Sequence, residues 1–227
     1  MISDFKEIHK FFDEVSKHIG ERVDIYLIGG GALMYHKSKN LTKDIDLVVN
    51  TEREFDLIVL ALKNMSFRLE LPDHHSYSRL NISQMFVKDE FRIDLFCKTV
   101  CRKFSLSEGM IKRATTIRAF GNILLHVCSE EDILLFKCIT DRPGDLDDCM
   151  RITYEHLLDW DIVLREAQEQ SRTGKDVWIT WITERLEILE ENNIKVPIIN
   201  EMRSLSEECR EKWEMDLLSR NPDAKLD

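Results

Sequence analysis

Proline and glycine are scarce, with 4 and 8 residues among 227, and neither gathers into a linker. No internal repeat or low-complexity segment interrupts the chain. Long apolar runs are missing too: none approaches the roughly 18 residues that a membrane span requires. The N-terminus, Met1 to Glu7, has neither the basic region nor the apolar core of a signal peptide, so a cytoplasmic protein without membrane association is expected. The 6 cysteines, at 97, 101, 128, 138, 149 and 209, form no Cys-x-x-Cys pair. Cys97 and Cys101 have no second pair to complete a zinc site, and most of the six lie in apolar surroundings. Reduced, buried thiols acting as small hydrophobes are expected.

Positive charge is in short supply. Against 42 Asp and Glu there are 32 Lys and Arg, a net charge of −10. That excludes a protein whose whole surface grips nucleic acid. It leaves room for a local basic groove, and Lys98, Arg102, Lys103, Lys112, Arg113 and Arg118 form the main local excess. The same six also read as an ordinary solvated face.

The remaining chain is that of a globular protein, 43% hydrophobic and 33% charged, long enough for one large domain or two small ones. Apolar periodicity predicts a helix over 3–19 capped by Ser3, a strand over 24–28, a short helix over 31–37, a buried strand over 45–49 and a helix over 52–65. Strands follow at 79–87 and 91–97, a helical piece near 107–113, and strands at 115–119 and 122–128. After Cys128 the character changes. Ser129-Glu-Glu-Asp132 has the form of a capping box, opening a helix over 129–140, and nearly everything beyond is helical in period. Stripes through Trp178, Ile182, Leu186 and Leu189, and through Met202, Leu205, Cys209, Trp213 and Leu217, read as core. The expected architecture is an α/β (α+β) half over 1–128 and a helical half over 129–227.

The most informative stretch is 27–49. An apolar strand runs into Gly29-Gly30-Gly31, and Asp44 and Asp46 then alternate with apolar residues. Side chains two apart on a strand share a face, with Cα atoms roughly 6.6 Å apart, so the two carboxylates can converge on one point. A third, Asp94, stands in Phe-Arg-Ile-Asp-Leu-Phe. Carboxylates on rigid strands suit magnesium, and a two-metal site (Mg2+) could neutralise a nucleoside triphosphate and activate an acceptor hydroxyl. Asp44, Asp46 and Asp94 are thus the candidate metal ligands and catalytic residues. Gly29, Gly30 and Gly31 would bring backbone N–H groups close to phosphate. Two other readings remain. A dinucleotide fingerprint needs a third glycine where Met34 stands. A merely structural turn leaves two carboxylates among Ile45, Leu47, Val48 and Val49, which is costly if they are unpaired. His74 and His75, in a polar loop after Pro72, have no further ligand nearby.

The order apolar-Gly-Gly, a dozen or so residues, Asp-apolar-Asp-apolar, then a later apolar-Asp-apolar resembles the nucleotidyltransferase superfamily, with its polymerase-beta-like fold. The wording Gly-Gly-Gly-Ala and Thr-Lys-Asp-Ile-Asp-Leu-Val-Val is similar to its abortive-infection toxin-like branch and to uncharacterised archaeal relatives. The likeness extends from residue 24 to about 150, through the segment Lys137 to Asp148. It implies transfer of a nucleoside monophosphate from an NTP, such as ATP, to a macromolecular acceptor (RNA or protein), with an antitoxin as a possible partner. Transfer to a small molecule and a non-catalytic binding module are the alternatives. It also implies that Lys137 holds the β- or γ-phosphate, where a plain surface lysine is the other reading. Thr42 would contact phosphate or merely start the strand. Asp145 and Asp148 would support Lys137 or simply begin a helix. The chain departs from the superfamily in offering no serine in the glycine turn, and from the branch in the acidity of 141–148.

Overall fold

The computed structural model describes residues 1–70, 84–101, 103–140 and 142–220. His74, His75, Arg102 and Asp141 therefore lie outside the described residues. In chain order the elements are α1 (Phe5–Ser16), β1 (Val23–Ile28), α2 (Gly29–Tyr35), β2 (Asp44–Val49), α3 (Glu52–Asn64), β3 (Arg68–Glu70), β4 (Gln84–Lys88) and β5 (Phe91–Cys97). Then come β6 (Thr99–Val100), β7 (Phe104–Ser105), α4 (Glu108–Arg113), β8 (Thr115–Phe120) and β9 (Ile123–Val127). The rest is helical: α5 (Glu130–Cys138), α6 (Pro143–Glu155), α7 (Trp160–Thr173), α8 (Val177–Glu191) and α9 (Ile199–Arg220).

Among the described residues seven strands form one mixed sheet in the order β3-β4-β5-β2-β1-β9-β8. β1 runs antiparallel to β2 and parallel to β9, while β2 runs parallel to β5. Parallel neighbours need cover on both faces, and the inner strands are accordingly apolar almost throughout. Val23, Ile25, Leu27, Ile45, Leu47, Val48, Val49, Ile93 and Leu95 are all fully buried. Buried residues from both halves of the chain belong to one hydrophobic cluster. The α/β class and the helical C-terminal region expected from the sequence are both present.

Local departures have local causes. The first helix spans Phe5–Ser16 rather than 3–19, because Asp4 rather than Ser3 caps it, accepting from Lys6 N at 2.8 Å while Glu7 reaches back to the Asp4 N–H. The strand expected at 79–87 is described from Gln84. Trp213 and Leu217, expected in the core, are 61% and 46% exposed. The reason is length. α9 has 22 residues and α8 has 15. Thr183 Oγ1 donates to Met202 O at 3.1 Å, and by Lys212 the longer helix has already reached Asp176 at the head of the shorter one, at 2.6 Å. At 1.5 Å per residue the last two turns outrun their support.

Candidate active site

The sheet order gathers the predicted carboxylates. Asp44 and Asp46 lie on one face of β2, and the parallel ladder puts Asp94 of β5 directly beside Asp46. One oxygen from each of the three lies within 4.8 Å of the others. Asp46 is buried, and burial first, then the charges of Asp44 and Asp94, push its pKa up to about 8. Burial also raises Asp94, although Arg92 opposes this by donating to it twice, at 2.8 and 2.6 Å. Three hard oxygen donors on rigid strands, two of them buried against like charge, fit a divalent cation such as magnesium.

The glycine triplet does more than expose backbone. Its first two members begin α2 at the end of β1, where Ile28 is paired with Asp46. Gly29 has φ of +58°, in the left-handed region. A Cβ there would stand 2.7 Å from Asp46 Cγ and overlap the carboxylate. At Gly30 it would stand 3.0 Å from Thr42 Cβ. Thr42 is buried, and its Oγ1 donates to Asp44 O at 3.0 Å, so it shapes the entry to β2. The prediction that follows is a sharp loss on Gly29→Ala. Strain of about 1–2 kcal/mol at a positive φ adds to displacement of the Asp46 carboxylate. A lower melting temperature together with weakened magnesium binding checks it; unchanged metal titration would show that the turn does not place Asp46.

A cleft of about 390 Å³ opens over this edge of the sheet, lined by Gly30, Lys39, Thr42, Asp44, Asp46, Lys137, Arg142, Asp145 and Asp148 among others. A smaller chamber between Gly29, Asp46, Asp94, Lys137, Thr140 and Arg142 adjoins it. Lys137 is not a surface lysine. It is buried on α5, donating to Asp145 Oδ1 at 2.7 Å and lying 2.8 Å from Asp148 Oδ2. Burial works against its charge, but Asp145 and Asp148 raise its pKa all the same. Asp145 also accepts from Thr140 Oγ1 at 2.6 Å and from Arg142 Nε at 2.9 Å. Burial would lift this carboxylate, yet Lys137 and Arg142 hold it at about 2. Lys39 Nζ donates to both oxygens of Asp148, at 2.8 and 2.9 Å.

Asp44, Asp46, Asp94, Gly29, Gly30, Thr42, Lys137, Asp145 and Asp148 thus reach one edge of the sheet, whereas Gly31 turns toward Leu27 and Ile8 in the core. Arg142, Thr140 and Lys39 were missed. Arg142 stands inside the motif that drew attention to Lys137, and its position before Pro143 at a helix start was the available signal. Nothing in the sequence marks Lys39, which reaches Asp148 across 109 residues.

Residues 3–188 match the model of a nucleotidyltransferase family of unknown function, DUF6036. The chain belongs to this family. No curated protein matches it in sequence. Among solved structures it is similar to the crystal structure of ANT(2'')-Ia in complex with adenylyl-2''-tobramycin. That match has 12% identity and a TM-score of 0.49, covering 75% of this chain and 98% of that one. A solution structure of the antibiotic-resistance factor ANT(2'')-Ia gives 13% identity and a TM-score of 0.50 over 74% and 92%. At such identities the likeness concerns the fold. The family assignment accounts for the acidic edge, the glycine turn and the order in which they occur: the chain is a nucleotidyltransferase.

The basic stretch of 98–118 fares differently. Arg113 is drawn inside, with Nη2 at 2.5 Å from Asp132 Oδ1 and 2.7 Å from Glu166 Oε2. Lys103 donates to Ile139 O at 2.7 Å and lies over the Trp181 ring. Lys112 pairs with Glu108, and Arg118 with Asp13. These four cations are engaged by neighbours, three of them by partners on other elements of the fold.

Proposed function

We propose that the chain performs magnesium-dependent transfer of a nucleoside monophosphate from a nucleoside triphosphate to a hydroxyl group. The convergence of Asp44, Asp46 and Asp94 beside the Gly29 turn, at the floor of a cleft walled by Lys39, Lys137 and Arg142, carries this reading. Bound by the three carboxylates, magnesium supplies charge neutralisation at the α-phosphate and lowers the pKa of the attacking hydroxyl. The side chains do the rest. Arg142, Lys39 and Lys137 set the positive wall for the triphosphate, and the first N–H groups of α2 face it from below. The acceptor oxygen forms a bond to the α-phosphorus, the bond to the β-phosphate bridge breaks, and pyrophosphate leaves. Asp94, with a carboxyl raised by burial, receives the acceptor's proton.

For the acceptor, the engagement of Lys103, Lys112, Arg113 and Arg118 by neighbours favours a small hydroxylated molecule over RNA or protein. A further cavity of about 280 Å³, bounded by Thr140, Trp181, Glu184 and Arg185, shares Thr140 with the lining of the carboxylate chamber and has room for such a molecule. A role as a toxin with an antitoxin partner rests on the sequence resemblance alone. The test is incubation with triphosphates labelled at the α-phosphate, together with total RNA, total protein or a small-molecule extract. Label entering the small-molecule fraction supports the reading. Label in RNA or protein would restore the macromolecular acceptor, and no labelled product in any pool would end the proposal of transfer.

Lys137→Met should weaken binding of all four triphosphates about tenfold, ~1.4 kcal/mol, with no change in base preference. Titration of each triphosphate reads this directly; a loss confined to one base would take Lys137 away from the phosphates.

A further inference from the structure

We infer that Ser38, His156 and Glu130 form a clasp that holds Lys39 at the triphosphate cleft, which makes His156 a positioning residue for nucleotide binding. The inference rests on the proposed function above. The segment between α2 and β2 carries Lys39 and Thr42 into the cleft, and apart from the Ile2–Thr42 bridge it has no regular structure of its own. Lys37 within it sits at φ of +66° in the C-terminal cap of α2, where Lys37 N donates to Met34 O at 3.2 Å and Ser38 N to Leu33 O at 2.9 Å.

His156, just past the end of α6, has Nε2 at 2.5 Å from Ser38 Oγ and Nδ1 at 3.3 Å from Glu130 Oε1. Nε2 and the Ser38 hydroxyl share one short hydrogen bond whose donor is set by the ring tautomer, and Glu130 Oε1 lies beside Nδ1. Glu130, at the start of α5, also meets His36 Nδ1 at 3.1 Å, while His36 Nε2 reaches Cys128 O at 2.9 Å. Arg151 donates to Ser38 O at 3.2 Å. The two residues flanking Lys37 are thereby tied to both helices that wall the cleft.

The serine, histidine and glutamate follow one another as in a nucleophile relay. Ser38 is 2% exposed and does not line the cleft, so its hydroxyl has no route to a reacting phosphate. Holding is what remains. Lys39, the next residue, bears an ammonium group that is 31% exposed and shared with Asp148. With Ser38 anchored, the Lys39 stem leaves the backbone toward the cleft. With Ser38 released, the eight residues from His36 to Lys43 lose one of their side-chain ties to α6 and its C-cap, the others among the described residues being Arg151 to Ser38 O, the Lys39–Asp148 pair and the His36–His156 ring contact.

The test is a double-mutant cycle read by titration of non-hydrolysable ATP, GTP, CTP and UTP analogues with magnesium. His156→Ala and Ser38→Ala should each weaken binding about five- to tenfold, and Lys39→Ala by at least as much. In the Lys39→Ala background His156→Ala should add nothing, because the residue it serves is gone. Ser38→Ala removes one oxygen and keeps the histidine, so it answers the question if His156→Ala folds poorly. Wild-type affinity in both clasp variants would overturn the inference. So would losses that multiply with that of Lys39→Ala, since general loosening of α6 would then be the cause. A wild-type protein that binds no triphosphate would remove the proposed function and this inference together.

Discussion

Asp46→Asn is expected to stop nucleotide transfer, lowering turnover roughly a thousandfold, ~4 kcal/mol at 1.36 kcal/mol per decade. The fold should survive. Asp46 is buried, flanked by Asp44 on its own strand and Asp94 on the next, with burial as the main reason its pKa is pushed up to about 8. In metal-free protein that charge is a burden, and an amide of the same shape removes it. The variant should therefore melt higher than wild type without magnesium, by about 1–3 kcal/mol of stability. Wild type should gain stability on adding magnesium; the variant should gain little. Differential scanning calorimetry with and without the ion separates these outcomes. Turnover equal to wild type, or the same magnesium-induced shift in both, would sink the carboxylate assignment.

The second large effect lies away from the cleft. Arg113→Met should cost about 3–5 kcal/mol of stability, because it strands two buried carboxylates. Arg113 joins α4 to Asp132 on α5 and Glu166 on α7, and Gln170 donates to Glu166 Oε1 at 3.1 Å. Burial already raises Asp132 to about 6 in spite of the arginine. A folded-state pKa above the unfolded value of about 3.9 means that Asp132's contribution is fully favourable below that value and is lost as pH rises through about 6. With the arginine gone, the penalty should be smallest near pH 4–5 and largest at pH 7 and above. Denaturant midpoints across that range check the sign, and Asp132→Asn with Glu166→Gln should restore part of the loss. A variant as stable as wild type at neutral pH would show that the triad is not holding the helices.

The same residue shows where sequence reasoning stops. Arg113 stands in a local excess of positive charge, and on that ground it reads as a contact for RNA. Its real partners are 19 and 53 residues away, and no spacing rule announces them. The carboxylate edge was legible because its signal is local: two acids at a strand's period, apolar neighbours on both sides, and a glycine turn before them. The companion strand of Asp94 was legible for the same reason. Its alignment with Asp46 was not, because register belongs to the pairing and not to either strand. The short β6–β7 pair, two residues each, is below the length at which periodicity can speak. Trp213 and Leu217 followed the pattern of a buried stripe correctly, but the pattern carries no information about how long the supporting helix is. Lys137, Asp145 and Asp148 were found by resemblance, and their mutual pairing came only with the fold.

One ladder has a consequence for how this chain can vary. β2 and β5 pair so that Ile45 faces Ile93, Asp46 faces Asp94 and Leu47 faces Leu95, and the four aliphatic side chains are fully buried. Chemistry and core thus alternate along the same strands, residue by residue. Deleting a single residue from β5 ahead of Asp94 would aim an isoleucine or leucine at the acidic edge and drive the aspartate into the hydrophobic interior. Length change is therefore tolerable in the loops around these strands and forbidden within them. Across related sequences the two strands should behave as one reading frame, shifted together or not at all.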